Sequence, residues 1–128
     1  MNAENELLNA YRGWHRLACA EAKAIRTRNW DLLADCQLAI RDFQTLIGRL
    51  TLEARKEWER AGIDAAEKER HIQVFIQGLI ELTRNNQALL QSAKDEAVAK
   101  LEELGQASQN IKRLQRSYGH AGSLLQVT

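Results

Sequence analysis

The sequence predicts an all-α fold. Its 128 residues include no proline and few aromatics. Good helix formers (Ala, Leu, Glu, Gln, Lys and Arg) dominate, and apolar residues recur at steps of three and four. A chain of this length makes one small domain. The expected architecture is an elongated antiparallel three-helix bundle, with a long third helix extending past the other two.

Breaks in the pattern divide the chain. Thr27-Arg28-Asn29 places cap-prone residues after an Ala-rich run, and Ala61-Gly62-Ile63-Asp64 is a glycine stop followed by a cap. Tyr118-Gly119 is the third break. The predicted helices run over about 3–28, 30–61 and 65–118, with 119–128 a flexible apolar tail that carries Leu124, Leu125 and Val127. Charge order agrees, because a helix dipole favours acids at its start and bases at its end. Glu4 and Glu6 open the first segment, and Lys23, Arg26 and Arg28 close it. Asp31 and Asp35 open the second, and Arg55, Lys56 and Arg60 close it. Asp64, Glu67 and Glu69 open the third, where Asp64 and Glu67 have the spacing of a capping box; Lys112, Arg113 and Arg116 close it.

In the first helix, Leu7, Tyr11, Trp14, Ala18, Ala22 and Ile25 form the expected buried stripe. The second carries the clearest seam: Leu33, Cys36, Ile40, Phe43, Ile47, Leu50 and Ala54. In the third the stripe is Ile72, Phe75, Leu79, Leu82, Asn86, Leu89 and Ala93, flanked by Ile76, Leu90 and Ala97. Asn86 is the polar member, and burying its amide requires hydrogen bonds; its expected role is to set helix register. Short connections make neighbouring helices antiparallel. At about 1.5 Å per residue the helices span roughly 40, 48 and 80 Å. The third therefore has about twenty residues, from about Ala97 on, with no companion in this chain. There Leu101, Leu104, Ser108, Ile111, Leu114 and Tyr118 keep the spacing of a buried face, which suits another helix. Gly105 is a place where the helix could bend.

Several function classes are excluded. The formal net charge of +1 gives no global field toward nucleic acid, and the Lys112, Arg113, Arg116 cluster is accounted for by the helix end. No apolar run reaches the roughly 18 to 20 residues of a membrane span. His15, His71 and His120 are scattered, and only Glu67 lies one turn from His71, so no metal site is expected. No nucleophile with its base, catalytic carboxylate pair or phosphate-cradling glycine loop is present, so neither an enzyme nor a cofactor is expected. Cys19 and Cys36 form no ligand or disulfide framework and suit a reducing cytoplasm. Trp14 joins the core stripe, while Trp30 and Trp58 are expected to pack at opposite ends of the second helix.

The stretch "LTRNNQALLQSA", Leu82 to Ala93, followed by "SYGHAG", Ser117 to Gly122, resembles the FlgN-like flagellar export chaperones. So does the layout: an acidic start, then a short break before "NWDLLADCQLAIRDFQTLIGRL". The resemblance covers nearly the whole chain. It implies a cytoplasmic chaperone of the flagellar type III export system that binds C-terminal helical segments of hook-associated proteins and prevents their premature assembly. Family chaperones engage clients largely through their C-terminal helical region. Carried onto this sequence, the matching positions are Leu101, Leu104, Ile111, Leu114 and Tyr118, with Leu89 and Leu90 as inner contributors. Export-apparatus components are further partners to expect. The short tail "SLLQVT" departs from the family pattern. Two other readings fit the same residues: a structural coiled-coil homo-oligomer paired through residues 100–118, as a homodimer, and a chaperone for another type III export substrate.

Overall fold

The structure is a computed structural model and describes the backbone of residues 2–126 and the side chains of residues 3–117. The described residues are all-α, with helices α1 (Asn2–Arg26), α2 (Trp30–Arg60) and α3 (Ala65–Gln126). They fall into two compact units, residues 1–90 and residues 91–128.

Both interhelical turns are built the same way. After α1, the Asn29 amide donates to the Ala24 carbonyl at 2.9 Å and the Arg28 amide to that of Ile25 at 3.2 Å. After α2, the Ile63 amide donates to Trp58 at 2.8 Å and the Gly62 amide to Glu59 at 3.2 Å. These are paired Schellman bonds, which need a left-handed residue to turn the chain. Gly62 supplies it at φ 69°, and Arg28 supplies it at φ 58°. Arg28 has a Cβ that crowds this conformation, and its guanidinium folds back to donate to the Ile25 carbonyl at 2.8 Å. α1 therefore stops at Arg26 instead of reaching residue 28. New helices begin on side-chain caps: Asn29 accepts from the Leu32 amide at 3.1 Å, and Asp64 from that of Ala66 at 3.0 Å.

The core of residues 1–90 draws on all three helices. Leu7, Ala10 and Tyr11 of α1, Ile47, Leu50, Ala54 and Trp58 of α2, and Ile72 and Leu79 of α3 form one buried cluster. At Gly13 the α2 ring of Phe43 sits so close to the α1 backbone that an added Cβ would lie 2.4 Å from its Cζ. Trp58 is wholly buried, whereas Trp30 at the other end of α2 is 47% exposed. Only the first of the two thus packs as the sequence predicts, because the Trp58 indole has a polar partner to meet. Its Nε1 donates to Glu4 Oε2 at 3.4 Å, and Lys68 Nζ donates to Glu4 Oε1 at 2.9 Å. One carboxylate thereby joins the first turn of α1, the last turn of α2 and the first turn of α3. Lys68 holds the Glu4 carboxyl below its ordinary range, against the opposing effect of burial.

Asn86 is the buried polar residue of α3, 3% exposed. Its amide nitrogen donates to the Ala18 carbonyl and to Glu21 Oε1, each at 2.8 Å. Its Oδ1 is buried and meets no described partner. Buried residues of α3 recur every seventh position, Ile72, Leu79, Asn86 and Ala93, with Ile76, Thr83 and Leu90 half-buried between them. Phe75, a member of the predicted stripe, is 40% exposed. The predicted Leu82 and Leu89 are half-buried, so of that stripe only Phe75 turns outward, and Ile76 takes the inward place in its turn.

α3 continues to Gln126 and does not end at Tyr118. An interior glycine costs a helix only about 1 kcal/mol relative to alanine and ends it only by turning left-handed. No proline follows to stop it. The helix also runs through Gly105.

Candidate docking face

The second unit, residues 91–128, is the remainder of α3. Four of its leucine and isoleucine side chains stand in solvent: Leu101 at 68%, Leu104 at 66%, Ile111 at 55% and Leu114 at 53% exposed. At about 100° per residue they fall within roughly 140° of the helix circumference, the width of an apolar stripe that packs on a neighbour. Val98 extends the patch on one side and is also exposed. Burying a Leu or Ile side chain is worth about 1.5–3 kcal/mol, so leaving four in water is a standing cost that a partner removes. These are four of the positions that the family resemblance implies for partner binding. Leu89 and Leu90 lie in the other unit and are half-buried. The side chain of Tyr118, like those of the tail residues Leu124, Leu125 and Val127, lies outside the described residues.

Charge on this unit is divided along its length. Asp95, Glu96, Glu102 and Glu103 lie in its first part with Lys94 and Lys100, while Lys112, Arg113 and Arg116 follow, and no acidic residue occurs after Glu103. Gln91 Nε2 donates to Asp95 Oδ1 at 3.0 Å along the helix. Lys112, Arg113 and Arg116 gather around Gln109 in one polar concavity. The sequence attributes this basic cluster to a helix end. With α3 reaching Gln126, its last turn carries no basic residue, and a dipole effect confined to the last turn leaves the cluster unexplained.

Residues 1–90 hold a second concave feature that periodicity alone does not reveal. A cavity of about 400 Å³ is lined by Tyr11, Trp14, Ile47, Ile76, Leu79 and Ile80, with Gln44, Thr83 and Arg84 as its polar members. Its signal in the sequence is the apolar run on both sides of Ile76, which exceeds what one stripe needs.

Chemistry-bearing side chains are dispersed. His15 and Cys19, one turn apart on α1, bring Nδ1 and Sγ to 3.9 Å at an exposed site; the sequence reading overlooked this spacing. Both cysteines are free thiols, Cys19 exposed and Cys36 buried. Burial, reinforced by Glu21 and Asp35, pushes the Cys36 thiol up and keeps it protonated. Among the described residues no group of three or more His, Cys, Asp and Glu could hold a metal ion, and no helix is long and apolar enough to cross a membrane. Comparison of the chain with family models, with curated proteins and with solved structures returns no match.

Proposed function

We propose that the protein is a non-enzymatic, cytoplasmic carrier of the flagellar type III export kind. It binds C-terminal helical segments of hook-associated proteins and keeps them from assembling before export. The observation that carries this reading is the solvent-exposed stripe of Leu101, Leu104, Ile111 and Leu114. An amphipathic client helix that would self-assemble through its own apolar face is covered by laying that face on this one. Coupled ordering offsets roughly 2–5 kcal/mol of the gross interaction energy, which keeps such a complex releasable.

Residues 1–90 serve in this reading as an antiparallel up-down-up three-helix bundle. Contacts support that arrangement. Glu4 with Lys68 and Ala18 with Asn86 advance together along α1 and α3, whereas Glu4 with Trp58 and Gly13 with Phe43 run in opposite senses along α1 and α2.

The test is calorimetric titration of purified C-terminal segments of hook-associated proteins into the full chain and into a variant carrying Leu101→Ser, Leu104→Ser, Ile111→Ser and Leu114→Ser. All four side chains are exposed, so no packing is lost within the chain, and circular dichroism of the variant checks that its helicity is kept. The expected result is saturable binding to the parent and a loss of at least a hundredfold in the variant. Equal binding by both proteins refutes the assignment.

A further inference from the structure

We propose that the apolar cavity among α1, α2 and α3 in residues 1–90 binds a medium-chain aliphatic carboxylate, its hydrocarbon chain laid along Ile76, Leu79 and Ile80 and its head group held by Arg84. This goes beyond the carrier reading, which uses the other unit and gives the cavity no role.

The shape calls for a chain. A volume of about 400 Å³ is that of a small-molecule site. Of its apolar walls Ile80 is exposed, and Trp14 and Ile76 are half-buried. Hydrocarbon that displaces water from them is favoured. Along α3 the lining runs from Ile76 to Arg84, roughly 12 Å at 1.5 Å per residue, which an extended chain of about ten carbons matches. Past Tyr11 and Ile76 a smaller hollow of about 140 Å³ continues toward Arg55 and Glu69, whose ion pair at 2.6 Å joins α2 to α3. Arg55 is thereby neutralised at that end. Arg84, at the other, has no ion-pair partner among the described residues.

The charge calls for an anion. Among the described residues Arg84 is the one charged member of the lining, and no acidic side chain joins it. Gln44 and Thr83 add side chains that can donate hydrogen bonds, and so does Tyr11. Tyr11 is 6% exposed, yet its hydroxyl has no hydrogen-bond partner among the described residues, where a buried tyrosine usually has one. Burial pushes the Tyr11 phenol up, so it stays a protonated donor. A lining of donors with one cation and no acid selects an acceptor that carries negative charge. The planar guanidinium matches the two oxygens of a carboxylate in a bidentate pair, whereas an alkyl ammonium of the same length would meet like charge at Arg84.

The experiment is calorimetric titration of the full chain with sodium decanoate and, separately, with decylammonium chloride, both kept below the concentrations at which they form micelles. Decanoate is expected to bind saturably at one site per chain, at least tenfold more tightly than decylammonium. The formal net charge of +1 is too small to create that preference by itself. Arg84→Glu changes an exposed side chain and is expected to invert the order of the two ligands. Ile80→Asp, which sets an acid into the exposed wall, is expected to weaken decanoate at least tenfold. No saturable binding of decanoate up to about 1 mM, decylammonium bound as tightly as decanoate, or an Arg84→Glu protein that keeps the parent's preference would each overturn the proposal. So would loss of decanoate binding in the variant with four serines in the second unit, because the cavity lies wholly within residues 1–90. A parent that ignores decanoate yet captures a client segment overturns this proposal and leaves the carrier reading standing. A parent that binds decanoate at Arg84 and captures no client upholds this proposal and refutes the carrier reading.

Discussion

Replacing Gly13 by alanine sets two effects of opposite sign against each other at one atom. Alanine is favoured over glycine in a helix interior by about 1 kcal/mol, so on α1 alone the change is stabilising. In the folded protein the new methyl would stand 2.4 Å from Phe43 Cζ, 2.7 Å from Cε1 and 3.1 Å from Cε2. Carbon atoms pack at about 3.5–4.0 Å, so the ring must retreat by about 1 Å or more. Phe43 is half-buried and can swing outward, but only by giving up its packing on α1 and beside Leu46 and Leu50. Overpacking of this kind costs about 1–3 kcal/mol. The net expectation for Gly13→Ala is a loss of about 1 kcal/mol in urea unfolding followed by circular dichroism, with an unchanged denaturant slope. In a Phe43→Ala background the obstacle is gone, and the same change is expected to stabilise by about 1 kcal/mol. The cycle thus yields a coupling of roughly 2 kcal/mol between the two positions. A Gly13→Ala protein more stable than the parent with Phe43 in place would refute the close approach of α1 and α2 at this point.

The two left-handed turn residues predict opposite responses. Gly62→Ala meets no neighbouring atom, so its cost is that of the backbone alone, about 1–2 kcal/mol; Arg28→Gly relieves the same strain and is expected to raise stability by about 0.5–1 kcal/mol in the same denaturation assay. Acid should loosen the junction at Glu4. Its carboxyl is lowered in the folded state, so the stability it contributes is present above the unfolded carboxylate value and is lost as pH falls through the folded one. Melting temperatures from about pH 7 to about pH 3 should show the parent losing its advantage over Glu4→Gln only toward the acid end; a gap that persists unchanged at the lowest pH would contradict the Lys68 pairing.

Much of this fold is written in its periodicities. All seven seam positions read on α2 point inward, with Phe43 half-buried and the other six buried, and all six on α1 do so with Trp14 half-buried. Those helices each bury a single stripe, which step counting finds. α3 is harder, because Val74, Phe75, Ile76, Leu79, Ile80 and Leu82 wrap apolar surface around most of its first turns. Choosing Ile76 over Phe75 requires knowing where the partner helices stand. Asn86 was visible as the polar member of the stripe, but its meeting with Ala18 and Glu21 joins residues too distant for local spacing to connect. The caps at Asn29 and Asp64 are side-chain chemistry and legible; Arg28 in a left-handed turn is not, since nothing in an arginine advertises that conformation. Gly13 was equally silent. As for the docking face, the spacing of Leu101, Leu104, Ile111 and Leu114 announces an apolar stripe, but the meaning of the neighbouring charges depended on where the helix stops.

The junction at Glu4 also imposes an order on biosynthesis. Its carboxylate is made almost first, yet the Lys68 ammonium that completes the junction lies 64 residues later. At about 5–20 residues per second, roughly 3–13 s separate the two. Until α3 has been made, Trp58 and Leu50 lack Ile72 and Leu79, the residues that complete their buried cluster. The carboxylate that ties the three helices together thus waits for the last of them, and the core of residues 1–90 closes only once α3 is available.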